Sequence, residues 1–152
     1  TVSSEDLKNG RWTVFFWLPI DFTFVCPTEI TSFNDHFEEF EKRNVNLIGA
    51  SIDSEYVHLA WRNDHPGLKT LKFPMLADTS KSLSEDLGIL EKVNKIAYRV
   101  TFIIDPEGTI QHVSANGLNV GRNVSETIRL VDAFQTGELT PCGWVPGEAT
   151  LN

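Results

Sequence analysis

Cysteines are scarce in this chain of 152 residues, basic residues are outnumbered, and long hydrophobic runs are absent. Two cysteines are too few for the disulfide framework of a small secreted domain, which uses roughly four or more. The 13 Lys and Arg against 21 Asp and Glu give a formal net charge of −8, which argues against nucleic acid or an anionic membrane as the main partner. The longest apolar run, residues 14–20, is far short of the roughly 20 residues of a membrane helix, and no signal-peptide pattern occurs. We therefore expect a cytoplasmic protein.

The sequence does contain enough apolar residues for one compact domain. They make up 41% of the chain, with 11% aromatic residues, which excludes wholesale disorder. Arg11–Leu18 and Val45–Ile52 have the composition of buried strands, and Thr28–Arg43 between them has the apolar spacing of an amphipathic helix. Strand, helix and strand in this order predict a parallel pair with a right-handed crossover.

The rest of the chain continues the alternation of strands and helices. The further predicted elements are a short strand, a short helix, a hairpin and a last helix: Phe73–Leu76, Thr79–Leu87, Tyr98–Ile104 with Thr109–Ala115, and Asn123–Phe134. The tail from Glu138 onward, rich in Pro and Gly, is predicted to be irregular. The pattern as a whole predicts an α/β fold, a mixed sheet with helices on both faces.

Cys26 lies between the first predicted strand and the first predicted helix. Because a residue before proline disfavours the helical conformation, Cys26 is either the last non-helical residue or just inside the first turn, where Pro27 also fits. A thiol there faces free backbone N–H groups and the positive end of the helix dipole, which favour the reactive thiolate. The alternative is a small buried hydrophobe, a common state of free cysteine, and placement alone leaves both open.

The segment at residues 19–29, PIDFTFVCPTE, resembles the active-site segment of the typical two-cysteine peroxiredoxins. That family's pattern of Pro, three residues, Thr, two residues and Cys falls on Pro19, Thr23 and Cys26. The similarity covers nearly the whole chain and is strongest to the bacterial alkyl hydroperoxide reductase peroxidase subunits. It continues in the following segments: Ser51–Ser54, His58–Trp61, Phe73–Leu76, Arg99, Phe102–Pro106, Val120–Asn123 and Cys142–Trp144.

The resemblance implies a thioredoxin-like fold and a thiol peroxidase that reduces hydrogen peroxide and organic hydroperoxides without cofactor or metal. Cys26 would attack the peroxide and become a sulfenic acid. Cys142 of a partner subunit would then form an intersubunit disulfide with it. The partners implied are a homodimer, a decamer of five dimers, and an electron donor that is a disulfide reductase, thioredoxin or another dithiol protein.

The resemblance also implies roles for the residues around the thiol. Thr23 would hydrogen-bond the peroxide, and Pro19 would shield the site from water. Arg99, always charged, would stabilise both the thiolate and the developing negative charge. Glu29 and Arg122 would orient Arg99.

Two other functions are weighed against the peroxidase. A thioredoxin-like dithiol–disulfide oxidoreductase is disfavoured because the sequence has no CxxC pair. A redox-regulated chaperone or scaffold on the same fold is the other alternative. In either case we expect residues 1–152 to form a single domain whose N-terminus is truncated, with an extension of about residues 138–152 that carries Cys142.

Overall fold

Five strands form one mixed sheet in the computed structural model, which describes residues 2–152. The strand order is β3-β2-β1-β4-β5, with β1 at the centre. The strands are β1 (Trp12–Trp17), β2 (Val45–Ser51), β3 (Met75–Ala77), β4 (Arg99–Ile104) and β5 (Ile110–Asn116). β1, β2 and β3 run parallel, whereas β4 is antiparallel to both β1 and β5. The mixed sheet and the parallel pair predicted from the sequence are confirmed.

The helices are α1 (Cys26–Asp35), α2 (Phe37–Lys42), α3 (Glu55–Asp64), α4 (Ser82–Asp86) and α5 (Val124–Gln135). Short 3₁₀ turns span Asp6–Lys8 and Pro66–Leu68. The chain divides into two compact units, of which the first ends at Arg122 and the second is Asn123–Asn152. Within the described residues, no helix has the length and apolar character needed to cross a membrane.

The single helix predicted over Thr28–Arg43 is wrong, because two helices occupy this segment and the first begins at Cys26. The break is at His36, whose backbone leaves the helical region with φ −95° and ψ 8°. Its ring Nδ1 lies 2.8 Å from the Ser32 carbonyl, a local bond that competes with helix propagation. Its carbonyl accepts from the N–H groups of Glu39 and Phe40, which starts α2.

The two faces of β1 pack into separate apolar layers. On one face, Phe16 stacks on Phe33 of α1 with ring centroids 3.9 Å apart, and it makes an edge-to-face contact with Phe73 at a centroid distance of 5.5 Å. On the other face, Phe15 and Trp17 belong to a second cluster. Its further buried members are Ile48, Ala50, Ile89, Ala97, Val100 and Phe102, and Leu87 at the end of α4 packs against it. Helical segments therefore cover both faces of this strand.

Gly49 of β2 occupies a position in the core where no side chain fits. A Cβ built there would collide with the Sδ of Met75 and lie 2.9 Å from Cζ of Phe16.

We predict that Gly49→Ala lowers the free energy of unfolding by about 2 kcal/mol, the usual cost of overpacking a filled core. Urea denaturation measures this change. Gly117→Ala is the matched control, since nothing lies within 4 Å of its added Cβ. Equal midpoints for the two variants would contradict the prediction.

Candidate active site

Cys26 is the first residue of α1, and Pro27 follows it in the first turn. Of the two positions that the sequence allowed, just inside the first turn is therefore the one observed. The thiol is buried, with 1% of the residue exposed. The ten-residue helix directs the positive end of its dipole at this position, which favours a negative charge on the sulfur.

Arg99, the first residue of β4, brings a guanidinium to the sulfur. Its Nη1 lies 3.3 Å from Cys26 Sγ and donates to Oε1 of Glu29 at 2.6 Å, while its Nε donates to the Leu118 carbonyl at 2.8 Å. Burial acts to lower the pKa of Arg99, but the bonds to Cys26 and Glu29 outweigh it and raise that pKa. The guanidinium therefore stays charged at every pH at which the protein is folded.

Glu29, in the first turn of α1, links Arg99 to a second buried arginine. Its Oε2 accepts from the Nε of Arg122 at 2.7 Å and from the Arg122 backbone N–H at 2.9 Å. Arg122 also donates to the carbonyls of Trp17 at 2.7 Å and Val100 at 2.9 Å. These bonds fix both guanidiniums relative to the end of β1 and the start of β4.

The three charged side chains leave one positive charge in excess beside the sulfur. The side chains of Arg99, Arg122 and Glu29 are 5%, 6% and 2% exposed, so water screens them little. A buried unbalanced charge is costly, and a Cys26 thiolate would balance it. The cluster is thus built to hold an anionic sulfur, which is the form that acts as a nucleophile.

The loop between β1 and α1 carries the other residues predicted for the site. Pro19 is buried, and Thr23 is half-buried with its hydroxyl donating to the Ile20 carbonyl at 3.0 Å. Phe24, two residues before Cys26, is 97% exposed. Direct contacts bring together Cys26, Arg99, Glu29 and Arg122; Thr23 and Pro19 lie in the loop that leads to them.

Cys142 is exposed and lies in the Asn123–Asn152 unit. Neither cysteine is in a disulfide. The segment around Cys142 has neither helix nor strand, as predicted, but it is ordered by hydrogen bonds. The indole N–H of Trp144 donates to the Glu148 carbonyl at 3.0 Å, and Arg129 of α5 donates to the Trp144 carbonyl at 2.7 Å.

A buried network in the same loop was missed by the reasoning from sequence. The carboxylate of Asp21 lies 2.5 Å from Nδ1 of His58 on α3 and 3.3 Å from the Ser51 hydroxyl. The carboxylate of Asp53 accepts from that hydroxyl and from the Asp21 backbone N–H. The available signal was an acidic residue, Asp21, within an otherwise apolar stretch. In the part of the chain that the structure describes, no three His, Cys, Asp or Glu side chains are grouped to hold a metal ion.

Comparison with known proteins identifies the family of this chain. A family model described as the AhpC/TSA family matches residues 1–113. The chain belongs to the AhpC/TSA family. It is 49% identical to alkyl hydroperoxide reductase C of Mycobacterium tuberculosis over 152 residues, which are 100% of this chain and 77% of that protein. It is 48% identical to peroxiredoxin-1 of Gallus gallus, over 97% of this chain and 79% of that one.

Solved structures of AhpC/TSA proteins have the same fold. The reduced 2-Cys peroxiredoxin of Plasmodium vivax superposes with a TM-score of 0.92 at 34% identity, covering 97% of this chain and 80% of that one. AhpC of Mycobacterium bovis gives 0.84 at 49% identity, over 94% and 79% of the two chains. The predicted family, thioredoxin-like fold and enzyme class are confirmed. Among the three functions considered from the sequence, the comparisons support the thiol peroxidase.

We predict that Glu29→Gln destabilises the protein by about 3 kcal/mol, because it leaves two buried guanidiniums without their carboxylate. Urea denaturation of the reduced protein measures the change. Glu39→Gln is the control, since Glu39 pairs with Lys42 and Arg43 at the surface, where ion pairs contribute little. A Glu29→Gln variant as stable as this control would contradict the charge balance described here.

Proposed function

We propose that this chain reduces hydrogen peroxide and organic hydroperoxides through Cys26 and Cys142. The observation that carries the proposal is the guanidinium of Arg99, 3.3 Å from a buried thiol at the start of a helix. Peroxide cleavage needs an anionic sulfur and a hydrogen-bond donor for the oxygen that leaves with the electron pair. Cys26 and Arg99 meet both needs.

In the first step the Cys26 thiolate attacks the terminal oxygen of the hydroperoxide. An S–O bond forms, the O–O bond breaks, and the leaving alkoxide or hydroxide takes a proton to become an alcohol or water. The sulfur is oxidised by two electrons to a sulfenic acid, and the peroxide is reduced by two. Arg99 stabilises the leaving oxygen. Thr23 binds the peroxide by turning its hydroxyl from the Ile20 carbonyl, and Pro19 limits access of water.

In the second step Cys142 of a partner subunit attacks the sulfenic sulfur of Cys26. The S–S bond forms, the S–O bond breaks, and hydroxide leaves as water with the proton of the Cys142 thiol. The exposure of Cys142 supports this role, because its thiol can reach a neighbouring molecule. Two electrons from a disulfide reductase or a thioredoxin-like dithiol protein then restore both thiols, which suits a reducing compartment such as the cytoplasm.

The cycle requires at least a homodimer, and we propose a ring of five dimers. β5 lies at one edge of the sheet, and its side chains, Val113 among them, are largely exposed, a surface open to pairing with a second copy. Phe22, Tyr56 and Leu59 are more than half exposed, which supports a second contact between copies. Within each subunit we regard residues 138–152 as an extension of one thioredoxin-like domain.

We predict that one equivalent of peroxide converts the wild-type protein to a disulfide-linked dimer on a non-reducing gel. Neither Cys26→Ser nor Cys142→Ser should form this band, because each lacks one sulfur of the bond. Treatment with dithiothreitol before loading is the control and should abolish the band.

The two cysteine variants separate the ways in which this proposal fails. If Cys142→Ser dimerises as readily as the wild type, Cys142 is not the resolving thiol. If neither the wild type nor Cys142→Ser consumes peroxide, Cys26 is not a peroxidatic thiol.

A further inference from the structure

We propose that Asp21 and His58 are a positioning pair that holds the loop of residues 19–25 against the site, and that loss of the shared proton at alkaline pH slows oxidation of Cys26. The pair is separate from the cluster of Arg99, Glu29 and Arg122. The inference rests on the proposed function, since its readout is the reaction of Cys26 with peroxide.

The geometry requires a proton between Asp21 and His58 in addition to the one that His58 donates to Leu76. Nδ1 of His58 lies 2.5 Å from Oδ2 of Asp21, and Nε2 lies 2.9 Å from the carbonyl oxygen of Leu76 in β3. A carbonyl oxygen can only accept, and an ionised carboxylate can only accept. When Asp21 is ionised, both ring nitrogens therefore donate, which only the imidazolium does. Burial raises the pKa of Asp21, and a protonated Asp21 that donates to Nδ1 holds the same shared proton. Once that proton is lost, the pair keeps only one of the two bonds.

Asp21 attaches the loop to the sheet through its backbone as well as its side chain. Its N–H donates to Oδ2 of Asp53 at 2.8 Å, and the Ser51 hydroxyl bonds to the carboxylates of Asp53 at 2.7 Å and Asp21 at 3.3 Å. Asp21 itself is 4% exposed. The carboxylate of Asp21 thus links the end of β2 to α3, and the imidazolium is the cation beside it.

The loop needs such an anchor because part of its backbone is unfavourable. Phe22, next to Asp21, has φ +58°, a left-handed conformation that residues other than glycine seldom adopt. Its ring packs 5.8 Å from that of Trp61 on α3, the helix that carries His58. Thr23 follows directly. A loop released from His58 would therefore change the position of the Thr23 hydroxyl and of the chain entering α1.

The surroundings of His58 favour its protonated form. Burial acts to lower its pKa, but the hydrogen bond and charge of Asp21 outweigh burial and raise that pKa, with a smaller contribution from Asp53. The other charged side chains at the cleft beside His58 are Glu55 and Arg62, both on α3. Because the pKa of His58 is raised, the anchor is complete below the ordinary pKa of histidine and is lost as pH rises through the raised value.

An alkaline decline of the peroxide reaction would be diagnostic. Rising pH does not remove the nucleophilic form of Cys26, since the thiolate is the deprotonated form. Arg99 does not titrate in this range. A decline in the rate constant above neutral pH, but below the pKa of hydrogen peroxide, therefore needs another group. Burial lowers the pKa of Arg122 as well, so only a decline that a substitution of His58 abolishes belongs to His58.

The experiment measures the second-order rate constant of Cys26 with hydrogen peroxide from mildly acidic to moderately alkaline pH, where hydrogen peroxide is not ionised. The full chain carries Cys142→Ser, so that only the first oxidation is followed. His58→Asn puts an amide near the Nδ1 position that can donate to Asp21 without titrating. His58→Phe removes both donors. His36→Asn is the control, since the ring of His36 bonds to the Ser32 carbonyl of its own helix and not to the loop.

We expect His58→Phe to react about tenfold more slowly at neutral pH, because misplacement of reacting groups costs rate without changing the chemistry. His58→Asn should lose the alkaline decline and stay within about threefold of the parent at neutral pH. Asp21→Asn should move the decline to lower pH, because the carboxylate that holds the proton on His58 is gone. His36→Asn should follow the parent throughout.

Two results would overturn the proposal: a parent with no alkaline decline, or a His58→Asn variant whose decline matches the parent. If His58→Phe fails to fold, the pH profile of His58→Asn alone tests the proposal. A parent in which Cys26 does not react with peroxide at all would instead refute the proposed function.

Discussion

The candidate active site depends on the carboxylate of Glu29. It binds two guanidiniums at once, those of Arg99 and Arg122, in a place where all three side chains are nearly excluded from water. Without it, two like charges would face each other in the interior, a cost of several kcal/mol. With it, the cluster keeps one positive charge directed at Cys26. That charge also stabilises the negative charge that develops in the reaction of the sulfur.

The sheet explains why these groups meet. β4 runs antiparallel to β1, so the first residues of β4 lie beside the last residues of β1. The loop that leads to α1 starts at this end of β1. Arg99 starts β4 and Cys26 starts α1, which puts a guanidinium and a thiol at the same edge of the sheet. Arg122 closes the arrangement through the carbonyls of Trp17 and Val100. Ligand sites commonly lie at the carboxyl ends of strands in open α/β sheets, and this thiol lies there.

Local patterns in the sequence were enough for the strands and for the place of Cys26, because apolar runs and a Pro at a helix start act over a few residues. They missed the break at His36, where one side chain bonds to its own helix. They could not bring Arg99 to Cys26, 73 residues away in sequence; only the resemblance to a family did that. Neither the local patterns nor the resemblance predicted the Asp21–His58 pair, whose residues are 37 apart in the sequence. A contact between two such distant polar residues produces no periodic pattern in the sequence.

The central claim is that the guanidinium of Arg99 drives the chemistry of Cys26. The most direct test is the second-order rate constant of Cys26 with hydrogen peroxide in Arg99→Met, compared with Arg11→Met, whose guanidinium pairs with Glu41 elsewhere. Arg99→Met should react about a hundredfold more slowly, the cost of losing one charged donor at a developing oxyanion. Arg11→Met should match the wild type. An Arg99→Met variant, folded by circular dichroism, that reacts as fast as Arg11→Met would contradict this account.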